Sequence, residues 1–209
     1  MADLLNYDAS QLLAFLLVLV RVIGIISTAP IFGSSISPPQ VKIVLSLMLG
    51  LILFPFIPVI QVFPDRPDHY IVLIASELLI GLVLGMIGRF LFSAVEFAGT
   101  VIGFQMGLGM AMVFDPQAQE QVSLVGRFES TAATLIFLAM DGHLIVIQAL
   151  VRSYSVLPPG GARISQPLVE KLTELSASIF FIGLQIGAPL IVALFLANAI
   201  VGLLARSVP

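Results

Sequence analysis

The stretch Gly99–Gln121, GTVIGFQMGLGMAMVFDPQAQEQ, decides how this chain is read. Its front is as apolar as a membrane span, yet glycines stand at Gly99, Gly103, Gly107 and Gly109. Each glycine in a helix interior costs roughly 1 kcal/mol relative to alanine. An apolar helix is thus weakened where a bilayer punishes exposed backbone most severely. Met106, Met110 and Met112 fill the same stretch with flexible thioethers that adapt to irregular neighbours. After Phe114, Asp115-Pro116 stops the run. Irregular backbone at membrane depth survives only where it is buried in protein or lines a cavity. The segment reads as a lumen or gate element, not as a lipid-facing helix.

The rest of the composition agrees with a membrane setting. The 209 residues are 59% hydrophobic and only 10% charged, with a mean hydropathy of +1.12. Soluble domains carry about 25% charged residues, so this is an integral membrane protein or part of a membrane-bound complex. A net charge of −3 and a pI near 5.2 argue against nucleic acid as a partner. With no cysteine, disulfides, thiolate metal sites and thiol chemistry are excluded. His69 and His143 lie far apart and form no HExxH pair, and no GxxxxGK nucleotide loop occurs. Asp3 and Asp8 stand where a signal peptide would be basic, and no A-x-A-like site follows. The first apolar run therefore stays as a helix.

Five long apolar stretches emerge: Leu12–Phe32, Val41–Phe63, Tyr70–Phe114, Phe128–Val151 and Ala177–Ala205. A span needs about 20 residues, so Tyr70–Phe114 holds two, hinged near Arg89–Glu96. The expectation is an all-α, membrane-type protein of about six hydrophobic helices, forming one helical domain over residues 1–209. Ser37-Pro38-Pro39-Gln40 reads as a helix start with Ser as N-cap and Pro at N1. Ser165 before Pro167 is a similar signal, and Asp115-Pro116 reads as the cap of a short amphipathic helix through Gln117–Val125. Pro55, Pro58 and Pro189 each remove a helical hydrogen bond, so kinks or unwinding are expected there. Strict alternation of six spans collects Lys42, Arg89, Arg152, Arg163 and Lys171 on one side and Arg66, Arg127 and Arg206 on the other. That bias puts the N-terminus outside the cytoplasm.

Small residues recur at four-residue spacing: Gly81 and Gly85, then Gly99, Gly103 and Gly107, then Gly183 and Gly187. Each set shares a helix face where backbones can approach closely, either within the chain or against other subunits. Charges inside the apolar stretches are few: Arg21, Glu77, Arg89, Glu96, Glu129 and Asp141. Arg89 and Glu96 share a face and are read as pairing with each other or with a neighbouring chain, ahead of a proton or ion relay. On a lipid-facing helix at the midplane Arg21 would cost at least ~2.5–3.5 kcal/mol. It is therefore expected to face protein, on a carboxylate or carbonyls, or to lie at the rim of an assembly outside the hydrocarbon. Asp141-Gly142-His143 interrupts an apolar run without an accompanying nucleophile motif, which favours a turn over a catalytic dyad. Gln105, Gln185 and Asn198 read as hydrogen-bonding glue between helices.

The run GFQMGLGMAMVFDPQAQEQ, with the early AFLLVLVRVIGIISTAPIFG and the late ANAIVGLLARSVP, resembles the FliR family of type III export-gate proteins, whose virulence-secretion counterparts are the SctT proteins. The resemblance covers essentially the whole chain. It implies a non-enzymatic, cofactor-free gate subunit of the bacterial inner membrane, at the basal body of the flagellum, the flagellar reading being preferred to the virulence one. It implies assembly with FliP-like and FliQ-like subunits and an FlhB-like protein into a helical pore for unfolded export substrates. The helices would be broken hairpins, much of the assembly would lie above the bilayer plane, and membrane lipids would surround the rest. In this family a loop matching about Met106–Val122 plugs the closed pore. The implied plug at 103–122 comprises Gly103, Met106, Gly107, Gly109, Met110, Met112, Phe114, Asp115 and Pro116. Arg21, Glu77, Arg89 and Glu96 are the expected intramembrane charges at subunit contacts. The family continues beyond a stretch like LLARSVP with a further hydrophobic hairpin. The competing class is a small-solute transporter or channel, since broken helices also mark such sites. No matching pair of interrupted segments occurs in two halves of this chain.

Overall fold

A computed structural model of the chain describes residues 2–34, 37–57, 67–107, 124–160 and 166–207. Among these the protein is all-α. The helices are α1 (Ala2–Thr28), α2 (Pro39–Leu53), α3 (Pro67–Gln105), α4 (Leu124–Ala139), α5 (Gly142–Val156) and α6 (Gln166–Ser207). A 3-10 turn, Phe54–Phe56, extends α2 where Pro55 lacks the donor to continue it.

Among the described residues six helices stand, as the sequence reading expects, but two boundaries differ. The expected hinge near Arg89–Glu96 does not form: α3 runs unbroken for 39 residues. No glycine or proline lies between Gly88 and Gly99, so nothing in the local sequence opposes the helix there. Conversely, Phe128–Val151 is not one continuous helix. It is divided into α4 and α5 by a break at Met140-Asp141. Asp141 makes the break in the left-handed region (φ 55, ψ 29), which aspartate tolerates better than most residues. The turn reading of Asp141-Gly142 therefore holds.

Among the described residues four helical segments are long and apolar enough to cross a membrane: Gln11–Thr28, Pro39–Phe56, His69–Gln105 and Glu170–Ser207. The pair α4 and α5 makes a fifth if counted as one. Arg89 sits within α3 rather than in a connection between two spans. The charge tally that oriented the N-terminus loses its basis. At the start of α2 the N-cap is Pro38, with Pro39 at N1, and no side chain caps it. Pro189 lies inside a continuous α6. Pro58, the Ser165 cap and the segment from Asp115-Pro116 through 123 lie outside the described residues.

The chain divides into two compact units. The first contains Met1–Arg89 and Asp141–Lys171. Its core centres on α1, whose Val18, Val22, Ile25, Ile26 and Ala29 pack with Leu53 of α2 and with Leu150 and Tyr154 of α5. α2 runs antiparallel to α1: Phe15 meets Phe54 edge-on at 5.6 Å, and near the other end Lys42 Nζ donates to the Gly33 carbonyl. α3 runs parallel to α1 and touches it backbone to backbone. A Cβ placed on Gly24 would lie 2.8 Å from the Leu78 carbonyl oxygen and 2.9 Å from the Gly81 Cα. One on Gly81 would collide with the Arg21 carbonyl, and one on Gly85 with the Thr28 hydroxyl. That hydroxyl is shared between the carbonyls of Gly24 and Leu82, 3.1 Å from each.

The second unit contains Phe90–Met140 and Leu172–Pro209. Here α4 lies antiparallel to α3: Phe92 meets Phe137 at 5.5 Å, and Gly99 lies against Gly126. α6 presents Gly183 to the Ala94 carbonyl and Phe97, and Phe180 stacks edge-on against Phe97 at 5.2 Å. The small-residue stripes at Gly81, Gly85, Gly99 and Gly183 are therefore used for helix packing inside the chain.

Candidate functional site

The Gly/Met segment begins where α3 stops, and the stop has a defined chemistry. Met106 N–H donates to the Ile102 carbonyl at 2.9 Å, and Gly107 N–H to the Phe104 carbonyl at 3.1 Å. Gly107 then adopts φ +78. A left-handed residue after the last helical turn is a common helix ending, and glycine takes it without a Cβ penalty. Gly107 thus acts as a terminator, not as a weak point within a longer helix. Gly103 is buried in the last turns of α3, whereas Phe104 and Met106 are exposed. Gly109, Met110, Met112, Phe114, Asp115 and Pro116 lie outside the described residues.

A second assembly of polar groups lies inside the first unit. Arg21 of α1 and Glu77 of α3 are both completely buried and form an ion pair, Nε to Oε2 at 2.6 Å. Arg21 Nη1 donates to Ser153 Oγ at 3.1 Å and to the Leu157 carbonyl at 3.0 Å. Its guanidinium carbon stands 4.3 Å over the Tyr154 ring. Tyr154 in turn donates its hydroxyl to the Val18 carbonyl at 3.0 Å. The other Glu77 oxygen, Oε1, accepts the Gly160 N–H at 2.8 Å. Gly160 reaches that position with φ +80, just past Pro158-Pro159. One arginine thereby fastens α1 to α3, to α5 and to the loop that follows α5.

This arrangement corrects the sequence reading of Arg21 and Glu77 as charges held for neighbouring subunits. They meet each other within the chain, where the guanidinium fork suits a carboxylate and carbonyls together. The expectation that Arg21 faces protein, on a carboxylate and a carbonyl, is what the structure shows. Sequence reasoning missed the pairing itself, because the residues stand 56 positions apart. It also missed Ser153, Tyr154 and Gly160, although the Pro-Pro-Gly turn marked where the loop would lie.

The remaining candidates stay apart. Arg89 and Glu96 are both exposed on α3 and form no ion pair with each other. Gln105, Gln185 and Asn198 are exposed and make no hydrogen bonds to the described residues, so they are not glue within the chain. Glu129 presses Oε2 towards Gly99, and that oxygen has no hydrogen-bond partner among the described residues. No group of three metal-ligating side chains occurs among the described residues. What the polar groups build is a brace. The arrangement positions helices and offers no nucleophile beside a base.

Residues 12–209 match the family described as bacterial export proteins, family 1. Over 191 residues the chain is 37% identical to the flagellar biosynthetic protein FliR of Escherichia coli K12, covering 91% of this chain and 73% of that protein. It is 32% identical to FliR of Bacillus subtilis over 205 residues, 94% and 76% of the two chains. For FliR of Aquifex aeolicus the identity is 30% over 198 residues, 95% and 76%.

Proposed function

The chain belongs to the family 1 bacterial export proteins, and from that premise we propose that it is a subunit of the flagellar type III export gate. In this reading it carries no catalytic centre and needs no cofactor. It lies in the bacterial inner membrane at the basal body, assembled with FliP-like and FliQ-like subunits and an FlhB-like protein. Unfolded export proteins pass through the pore it helps to build.

The observation that supports the reading best is the length of two helices. At 1.5 Å per residue α3 is about 58 Å long and α6 about 63 Å, against a hydrocarbon core of about 30 Å. Both are apolar far beyond that thickness. Along α6, Phe180, Phe181, Leu184, Leu190, Phe195, Ile200 and Leu204 are all exposed on the chain by itself. Tilt absorbs only part of such an excess. The remaining apolar surface calls for other protein, as a subunit of a multi-chain pore provides and a self-contained solute carrier does not.

Within this gate, 103–122 is the plug. Gly107 follows the end of α3, Phe104 and Met106 just before it are exposed, and methionine thioethers in this stretch of the sequence suit resealing around varied chains. Arg89 and Glu96, exposed and unpaired with each other, are the charges left for contacts with neighbouring subunits. The test is deletion of Met106–Asp115 in a gate co-expressed with its FliP-like and FliQ-like partners. The complex should still assemble, and reconstituted vesicles should leak small ions. A deletion that abolishes assembly, or an intact gate that stays tight, overturns the plug.

A further inference from the structure

A cavity of about 470 Å³ opens in the first unit between the end of α2 and one face of α5. Its size falls in the range of small-molecule and lipid-chain sites, about 300–1,000 Å³. Leu53 and Phe56 from the end of the α2 segment, with Ile147 and Val151 of α5, form an apolar wall. Arg152 and Ser155 supply its polar edge. Val151, Arg152 and Ser155 fall at helical spacing, so α5 turns this face to the groove while Leu150 and Tyr154 enter the core. Arg152 is exposed, and among the described residues its guanidinium has neither a hydrogen bond nor an ion pair.

We infer that this groove is a binding site for one anionic phospholipid, with an acyl chain against Leu53, Phe56, Ile147 and Val151 and the phosphate on Arg152. Two features of the site select that occupant. The wall is built at the end of Pro39–Phe56, a segment long and apolar enough to cross a membrane, and the end of such a segment, laid across a bilayer, meets the level where acyl chains give way to headgroups. There an unpaired arginine stands beside an apolar slot, and basic pockets between transmembrane helices take up anionic headgroups. A peptide would find no acidic partner for its own charges in such a slot, and a zwitterionic lipid would place a cation near Arg152. The inference needs the chain to lie in a bilayer but does not depend on the export role. Tyr154 also lines the groove while its ring supports Arg21, so the bound lipid abuts the brace.

The experiment is native mass spectrometry of the full chain, in complex with its partner subunits, titrated with palmitoyl-oleoyl phosphatidylglycerol and, separately, the phosphatidylcholine of the same chains. One arginine near the headgroup corresponds to about fivefold in affinity. Phosphatidylglycerol should bind about fivefold tighter, Arg152→Gln should erase that preference, and Arg152→Lys should keep most of it. Ser155→Trp, which fills the slot, should weaken both lipids. Equal binding of the two lipids by the unaltered protein, or a preference that survives Arg152→Gln, overturns the site. Inorganic phosphate that displaces phosphatidylglycerol would show an anion site without an acyl slot and would likewise overturn it. Carbonate-resistant membrane association of the same samples reports separately whether the chain is embedded at all.

Discussion

Replacing Arg21 by Met removes the cation of the buried pair and leaves Glu77 with one donor, the Gly160 N–H. Replacing Glu77 by Leu leaves Arg21 with Ser153, the Leu157 carbonyl and the Tyr154 face. Removing one partner of a buried ion pair costs about 3–5 kcal/mol, because the other charge is stranded. Replacing both by apolar groups of similar volume strands no charge. What the double variant leaves without an acceptor is the Gly160 N–H, since the Ser153 hydroxyl still donates to the Leu150 carbonyl, and an unmet buried donor costs about 1–3 kcal/mol. The double variant should therefore be more stable than either single one. For a chain of this size 1 kcal/mol moves the melting temperature by about 2–4 °C. Each single substitution should lower it by roughly 6–20 °C and the pair by roughly 2–12 °C. The chain has no tryptophan, so the assay is loss of helical circular dichroism on heating the detergent-solubilised complex. Single variants that melt within 2 °C of the parent, or a double variant as unstable as the sum of the singles, would refute the brace.

Gly81→Ala puts a methyl into the Arg21 carbonyl, and neither backbone can yield without parting α1 from α3; a loss of about 1–3 kcal/mol is expected by the same melting assay. Gly202→Ala, where nothing lies within 4 Å, should be neutral or stabilising by up to about 1 kcal/mol. At Gly107, with φ +78 and open space around it, alanine should cost about 1–2 kcal/mol through backbone strain, while asparagine should be tolerated better. Export assays should rank Gly107 variants in that order, glycine fastest and alanine slowest. Expression without FliP-like and FliQ-like partners should give aggregated material, because the exposed apolar faces of α3 and α6 have no cover. A monodisperse monomer, equally stable alone, would count against the gate.

The apolar runs made the fold class legible, since runs of about 20 apolar residues have the length of membrane helices rather than of barrel strands. Stops were legible only where a residue carries backbone information. Asp141-Gly142 was legible as a break, and Asp141 takes a positive φ there, whereas α3 ends at Gln105, before Gly107, and not at the Asp115-Pro116 stop that the sequence suggested. The hinge at Arg89–Glu96 was inferred from charge and span length, and charge does not break a helix. Two spans' worth of apolar residues is two spans only if each must cross lipid singly, which a chain buried among subunits need not do. The brace was half visible, as opposite charges at Arg21 and Glu77. Its partners at Ser153 and Gly160 carry no pattern, because a serine in a helix and a glycine after two prolines have local explanations of their own.

The brace also sets a timetable for synthesis. Glu77 is made 56 residues after Arg21, and Gly160 emerges 83 residues after Glu77. At about 5–20 residues per second, the first apolar helix waits roughly 3–11 s for its carboxylate. The carboxylate then waits roughly 4–17 s more for the loop that completes it. Throughout the first interval an unneutralised arginine sits within the apolar segment Gln11–Thr28 of α1, at a cost of about 2.5–3.5 kcal/mol for a helix that holds it at the bilayer centre. A release of α1 together with α3 avoids that cost, because the pair carries its own neutralised charge.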